Sequence, residues 1–106
     1  MTPENLRDAA RVAYDRELAK QNLQTAMTSR LTASHRDGVF KVDAELFVLL
    51  NLSDEEEMVL LDIYHIPVLV NRKQLYDQAR KRYQEIMNQW LHEYQQQVNV
   101  RSAKQL

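Results

Sequence analysis

The chain of 106 residues has no cysteine, one glycine and two prolines. The missing cysteine excludes a disulfide framework, a thiol nucleophile and the usual structural zinc sites. Glycine averages about 7% of residues in ordinary proteins, so a lone Gly38 leaves few places for left-handed turns or close backbone approach. It also excludes Gly-rich phosphate loops and a Gly-x-Ser-x-Gly nucleophile elbow. An excess of one charge is missing too. Fourteen basic residues stand against fifteen acidic ones, which argues against a globally steered nucleic-acid binder. No long apolar run is present: the stretch from Met58 to Val70 is broken by Asp62, His65 and Pro67, well short of the ~20 residues that a membrane span needs. The opening Met1-Thr2-Pro3-Glu4-Asn5 has no basic start leading into an apolar run, so no secretory signal is read there. The expectation is a cytoplasmic protein without a membrane segment.

What is present is helical pattern. Thr2 is placed to cap a first helix, Pro3 suits its first position and Glu4 complements its dipole. No glycine or proline follows up to Ser29, and Leu6, Ala9, Val12, Ala13, Leu23, Met27 and Leu31 fall on one broad face. That face is expected to pack on another helix. Asp37-Gly38 is a turn signal, with Gly38 as the residue that tolerates positive φ. Val39, Phe40 and Val42 then favour either a short strand in a small hairpin or a bare loop. Asp43 caps a short helix from Ala44 to Leu50, apolar enough to need burial on most sides.

Ser53 and Glu56 stand in capping-box spacing, which predicts helix through Met58-Val59-Leu60-Leu61. Pro67 and the β-branched residues make Ile63 to Val70 extended, a segment that could pair with Val39–Val42 as a two-stranded ribbon. Asn71 with Gln74 caps a last helix. Its stripe includes Leu75, Tyr76, Ala79, Tyr83, Ile86, Met87, Trp90, Leu91 and Tyr94. Past Gln97 the polar residues from Val98 to Leu106 read as a frayed tail on a single α-rich domain of residues 1–97.

Each terminal helix could run about 25 residues, roughly 37 Å at 1.5 Å per residue. A compact domain of this size spans only roughly 35 Å. The helix ends must therefore protrude or be covered by a partner or a second copy.

Catalytic constellations are scarce. His35, His65 and His92 fall in separate elements, and Asp62 with His65 is the one acid–imidazole pair at short spacing. A hydrogen-bonded structural histidine is the favoured reading of that pair. Asp54, Glu55, Glu56 and Glu57 read as a solvated helix start, since a calcium loop needs alternating carboxylates around a glycine. The acidic stretch 54–62 is followed by a basic one, with Arg72, Lys73, Arg80, Lys81 and Arg82 against Asp77. The two either face solvent and pair weakly with each other or form halves of an intermolecular contact. The short helices Ala44–Leu50 and Asp54–Leu61 have the outline of a helix-turn-helix, but acids in the second would repel phosphates. The basic face of the last helix is the better nucleic-acid candidate.

The stretches Gly38-Val39-Phe40-Lys41-Val42-Asp43-Ala44-Glu45-Leu46 and Leu61-Asp62-Ile63-Tyr64-His65-Ile66-Pro67-Val68-Leu69-Val70-Asn71-Arg72 resemble small uncharacterised proteins of large contractile-tailed bacteriophages. The last helix, with Tyr83, Met87 and Trp90, has a similar character. The resemblance covers about half the chain and carries no motif of known chemistry. It implies a virion or assembly component, or a small protein that binds host proteins, located in the host cytoplasm or the virion.

The fold expected is mainly α: two long terminal helices packed antiparallel, with short helices between them and room for a two-stranded β-ribbon. The function expected is a non-catalytic protein–protein interaction module, acting as an oligomer or with a partner through Tyr83, Met87, Trp90 and Tyr94. A nucleic-acid-binding regulator using Lys73, Arg80, Lys81 and Arg82 is the alternative. No catalytic residue, cofactor, metal or small-molecule substrate is expected.

Overall fold

Two long helices, one short helix and two small β-hairpins make up the computed structural model, which describes residues 3–105, with side chains described for residues 5–100. Helix α1 spans Pro3–Arg30, and Thr2, its expected cap, lies outside the described residues. Strands β1 (Thr32–His35) and β2 (Gly38–Lys41) form the first antiparallel hairpin, followed by α2 (Ala44–Asn51). Strands β3 (Glu57–Leu61) and β4 (Pro67–Asn71) form the second, followed directly by α3 (Arg72–Gln105).

The caps follow the sequence rules. The Asp43 carboxylate accepts from the Leu46 N–H at 2.9 Å and starts α2, and Asn71 Oδ1 accepts from the Gln74 N–H at 3.0 Å and starts α3. Both satisfy backbone donors that an uncapped helix leaves open.

The hairpins depart from expectation in three places. The positive φ of the first turn is at Arg36 (52°), while Gly38 sits in the strand opposite His35. Glycine is needed at 38 for space: a Cβ there would lie 2.8 Å from the Phe40 ring and 3.0 Å from Val68. Met58–Leu61 is strand and not helix. Four consecutive apolar residues carry no period of their own, and the surroundings decide. The Ser53 hydroxyl accepts from the Glu55 N–H in a local turn, and Arg72 takes the carbonyls of Glu55 and Leu50 through its guanidinium and that of Glu56 through its N–H.

The expected ribbon between Val39–Val42 and the segment around Val70 does not form either. The partner of β4 is β3, because the turn between them closes on itself. Asp62 accepts from the N–H groups of Tyr64 (2.9 Å) and Ile66 (3.0 Å), and its own N–H donates to the Ile66 carbonyl at 3.0 Å. A closure of this length costs roughly 1 kcal/mol less chain entropy than pairing across α2. The two hairpins meet at a single backbone bond, Ile63 N–H to the Val39 carbonyl at 2.9 Å.

His35 fastens the first hairpin to everything else. Its buried ring accepts from the Asn71 N–H at Nε2 (3.2 Å), so Nδ1 carries the hydrogen and donates to Gln78 Oε1 (2.8 Å). One imidazole thereby joins β1, β4 and α3. Beneath it lies the core, built from Met27, Phe40, Val42, Leu50, Val70, Leu75, Ala79 and Ile86.

The long helices run antiparallel. Arg30 lies beside Arg82, Gln89 and Glu93, and the chain then descends until His35 reaches Gln78, nearer the start of α3. The molecule measures 65 × 23 × 22 Å with a radius of gyration of 19.9 Å, against about 13 Å for a compact chain of this length. Two helices of 28 and 34 residues cannot fit inside such a globule. The helix also continues where a frayed tail was expected: no glycine or proline stops it after Gln97, and α3 runs to Gln105.

The Gly38→Ala variant is expected to lose about 1–3 kcal/mol of stability through overpacking against Phe40. Urea denaturation measures this, and an unchanged midpoint would show that the ring yields freely.

Candidate protein interaction surface

Residues at steps of four and three on α3 form a flank beside the seam with α1. Its first part meets α2: Tyr76 and Tyr83 each set an edge-on ring against Phe47, with centroids 5.7 Å and 6.3 Å apart. Met87 and Trp90 come next, half-buried and packed against the core. Beyond them α2 no longer reaches, and the flank emerges with Leu91 at 56% exposure, Tyr94 at 47% and Val98 at 38%. The four expected partner-binding residues thus lie on one side of one helix. Tyr83 and Tyr94 are exposed, whereas Met87 and Trp90 are shared with the core.

Leu91 and Val98 belong to the same flank. Val98 is missed when the helix is ended at Gln97, although its spacing of four from Tyr94 and seven from Leu91 is visible in the sequence.

The seam itself thins toward the free ends of the helices. Leu23 and Met27 of α1 and Ile86 of α3 are buried, and Ala19 and Trp90 are half-buried. Farther out α3 offers Glu93 and Gln97, and the Gln97 Oε1 atom is buried without a hydrogen-bond partner among the described residues. The expected apolar face of α1 is not buried along its length. Residues 5–18 are all exposed, including Leu6, Val12, Tyr14 and Leu18. Half of that face is alanine or lies beyond the core, so it has no surface to bury against. The contact of Arg30 with Glu93 at 3.9 Å and with Gln89 at 3.3 Å is exposed and adds little.

The four cations of the alternative reading do not converge. At about 100° per residue Lys73 and Arg80 share a line, Lys81 is a quarter turn away and Arg82 lies roughly opposite. Lys73, Arg80 and Lys81 are exposed, with Asp77 on the same side. Arg82 is engaged: its Nε donates to the Arg30 carbonyl at 3.1 Å, satisfying an end carbonyl of α1, and its Nη1 reaches Glu85 at 3.4 Å. The acidic and basic segments do not pair with each other through ion pairs among the described residues. Glu57 pairs with Arg36 at 3.1 Å instead.

Asp62 and His65 share a backbone bond, His65 N–H to the Asp62 carbonyl at 3.0 Å, and no side-chain hydrogen bond joins them among the described residues. The carboxylate is occupied by the turn it closes, and His65 is exposed at φ 60°. Among the described residues no three His, Cys, Asp or Glu side chains are grouped to hold a metal ion. No described helix is long and apolar enough to cross a membrane. Compared with known protein families, curated proteins and solved structures, the chain matches none.

Arg82→Ala is expected to cost about 1 kcal/mol by leaving the Arg30 carbonyl without its charged donor, while Lys81→Ala stays within about 0.5 kcal/mol. Paired thermal and urea melts read the difference, and equal effects would remove the capping role of Arg82.

Proposed function

We propose that the protein is a non-catalytic assembly module whose helical arm docks, through the α3 flank of Tyr83, Met87, Trp90 and Tyr94 with Leu91 and Val98, against a helix of a second copy or of another protein. The supporting observation is the bare arm. A helix within a protein draws most of its stability from packing an apolar face, yet residues 5–18 are all exposed and the seam beyond Trp90 is Glu93 and Gln97. A stripe spaced four, seven and four residues apart is the pattern by which one helix anchors on another. Tyrosine and tryptophan suit that role, combining a large apolar body with a polar tip.

The resemblance to small phage proteins points the same way, toward a virion, assembly or host-binding component. The nucleic-acid reading has less behind it, since Arg82 is committed to α1 and Asp77 stands among the remaining cations.

A photo-crosslinking residue placed at Leu91 or Tyr94 in the full chain, expressed in its native cellular setting, tests the reading. Crosslinks into one protein species, absent from the same residue at the exposed Gln96 on the opposite side of α3, are the expected result. Sedimentation velocity separates the two versions. In the self-association case a species heavier than 12.6 kDa reverts to monomer on Leu91→Glu. A clean monomer that yields no flank-specific crosslink would contradict the proposal.

A further inference from the structure

The two edges of the β3–β4 hairpin are treated differently. The backbone bonds Arg72 N–H to Glu56 and Asp62 N–H to Ile66 put the bonded pairs at 56/72 and 62/66. In an antiparallel ladder bonded and non-bonded pairs alternate, so Leu69 and Asn71 face outward from β4, and Glu57, Val59 and Leu61 face outward from β3. The edge of β4 is closed: Arg36 donates to the Leu69 carbonyl at 2.8 Å, the Asn71 N–H is held by His35, and Pro67 has no N–H to offer. The outward N–H and C=O groups of Glu57, Val59 and Leu61 have no hydrogen-bond partner among the described residues. Natural sheets block such edges with charge, proline or a covering element, and here β3 presents Val59 and Leu61, both exposed.

That edge borders a groove. From the Ile63–Val39 bond the strands β2 and β3 diverge, because α2 begins at Ala44 and carries the chain away. The space between them is floored by Phe40, Leu46, Leu49 and Leu60. Asp43, Glu45 and Asp62 stand at its walls with Lys41 as the one lysine or arginine, and Asp54, Glu55 and Glu56 precede β3. Asp43 and Asp62 are spent on a cap and a turn, which leaves Glu45 as the free carboxylate of the wall.

We infer that this groove takes an extended segment of a partner protein, which adds as a strand to the open edge of β3, seats alternate apolar side chains over Phe40, Leu46 and Leu49, and directs a lysine or arginine toward Glu45. Main-chain bonds to Val59 and Leu61 hold the segment, and the groove selects its side chains, as in other cases of strand addition. Five residues of β3 span about 16 Å, so the segment is about five residues long. The inference is independent of the docking assigned to the helical arm.

Selection of a random peptide library against the full chain tests it. Enriched peptides are expected to alternate apolar residues with polar ones that include lysine or arginine, and to slow hydrogen exchange at the Val59 and Leu61 amides. N-methylation of the peptide at alternate residues is expected to weaken binding at least about tenfold. Val59→Pro, which removes one outward N–H, should do the same, whereas Val59→Ala should not, and Glu45→Lys should reverse the charge preference. Peptides that protect the α3 flank, that tolerate N-methylation, or that are not enriched at all would overturn the inference. So would concentration-dependent protection of Val59 and Leu61 without peptide, which would mean that β3 pairs with a second copy.

Discussion

The imidazole of His35 sets the geometry on which the remainder of the fold depends. A backbone donor at Asn71 fixes Nε2 as acceptor and leaves Nδ1 to Gln78, so a single neutral ring ties β1, the end of β4 and the second turn of α3. Breaking it would strand a half-buried backbone N–H, and an unsatisfied buried donor costs more than the bond it lost. The same contact decides which edge of the second hairpin is closed. With His35 and Arg36 laid along β4, only β3 remains open, and the groove beside α2 follows from that choice.

Stability is spread unevenly over the 65 Å length. Large buried side chains cluster where the hairpins, α2 and the first half of α3 meet. Along the arm the buried surface falls away, and a buried oxygen of Gln97 with no hydrogen-bond partner among the described residues stands in place of apolar packing. Regions with few buried contacts open at small free energies. In the proposed reading, another helix completes this weakly stabilised arm by lying along the apolar flank from Tyr83 to Val98.

Much of this was legible in the sequence because it rests on local chemistry. Asp43 and Asn71 are caps in sequence and in structure, and the scarcity of glycine and proline gives two terminal helices longer than a globule. What was not legible depends on contacts between distant residues. The run Met58–Leu61 has no period, and Arg72, far along the chain, helps hold it as strand. Gly38 looked like a turn glycine, but the ring of Phe40 is what requires it. The α3 flank could be read as far as Tyr94 from spacing, while Val98 was hidden by ending the helix early. Nothing in the pattern of single residues announces a free strand edge. It emerges only once the pairing register and the His35 contact are known.

Amide hydrogen exchange along α3, in dilute protein and again in the complex, tests most directly whether the arm is completed from outside. The expected result is that amides of Leu75–Ile86 exchange only on global unfolding. Those of residues 91–100 exchange by local opening in the dilute monomer and slow at least about tenfold when the flank is occupied. Arm amides already protected to the global level in a dilute monomer would contradict the account, because the arm would then need no partner.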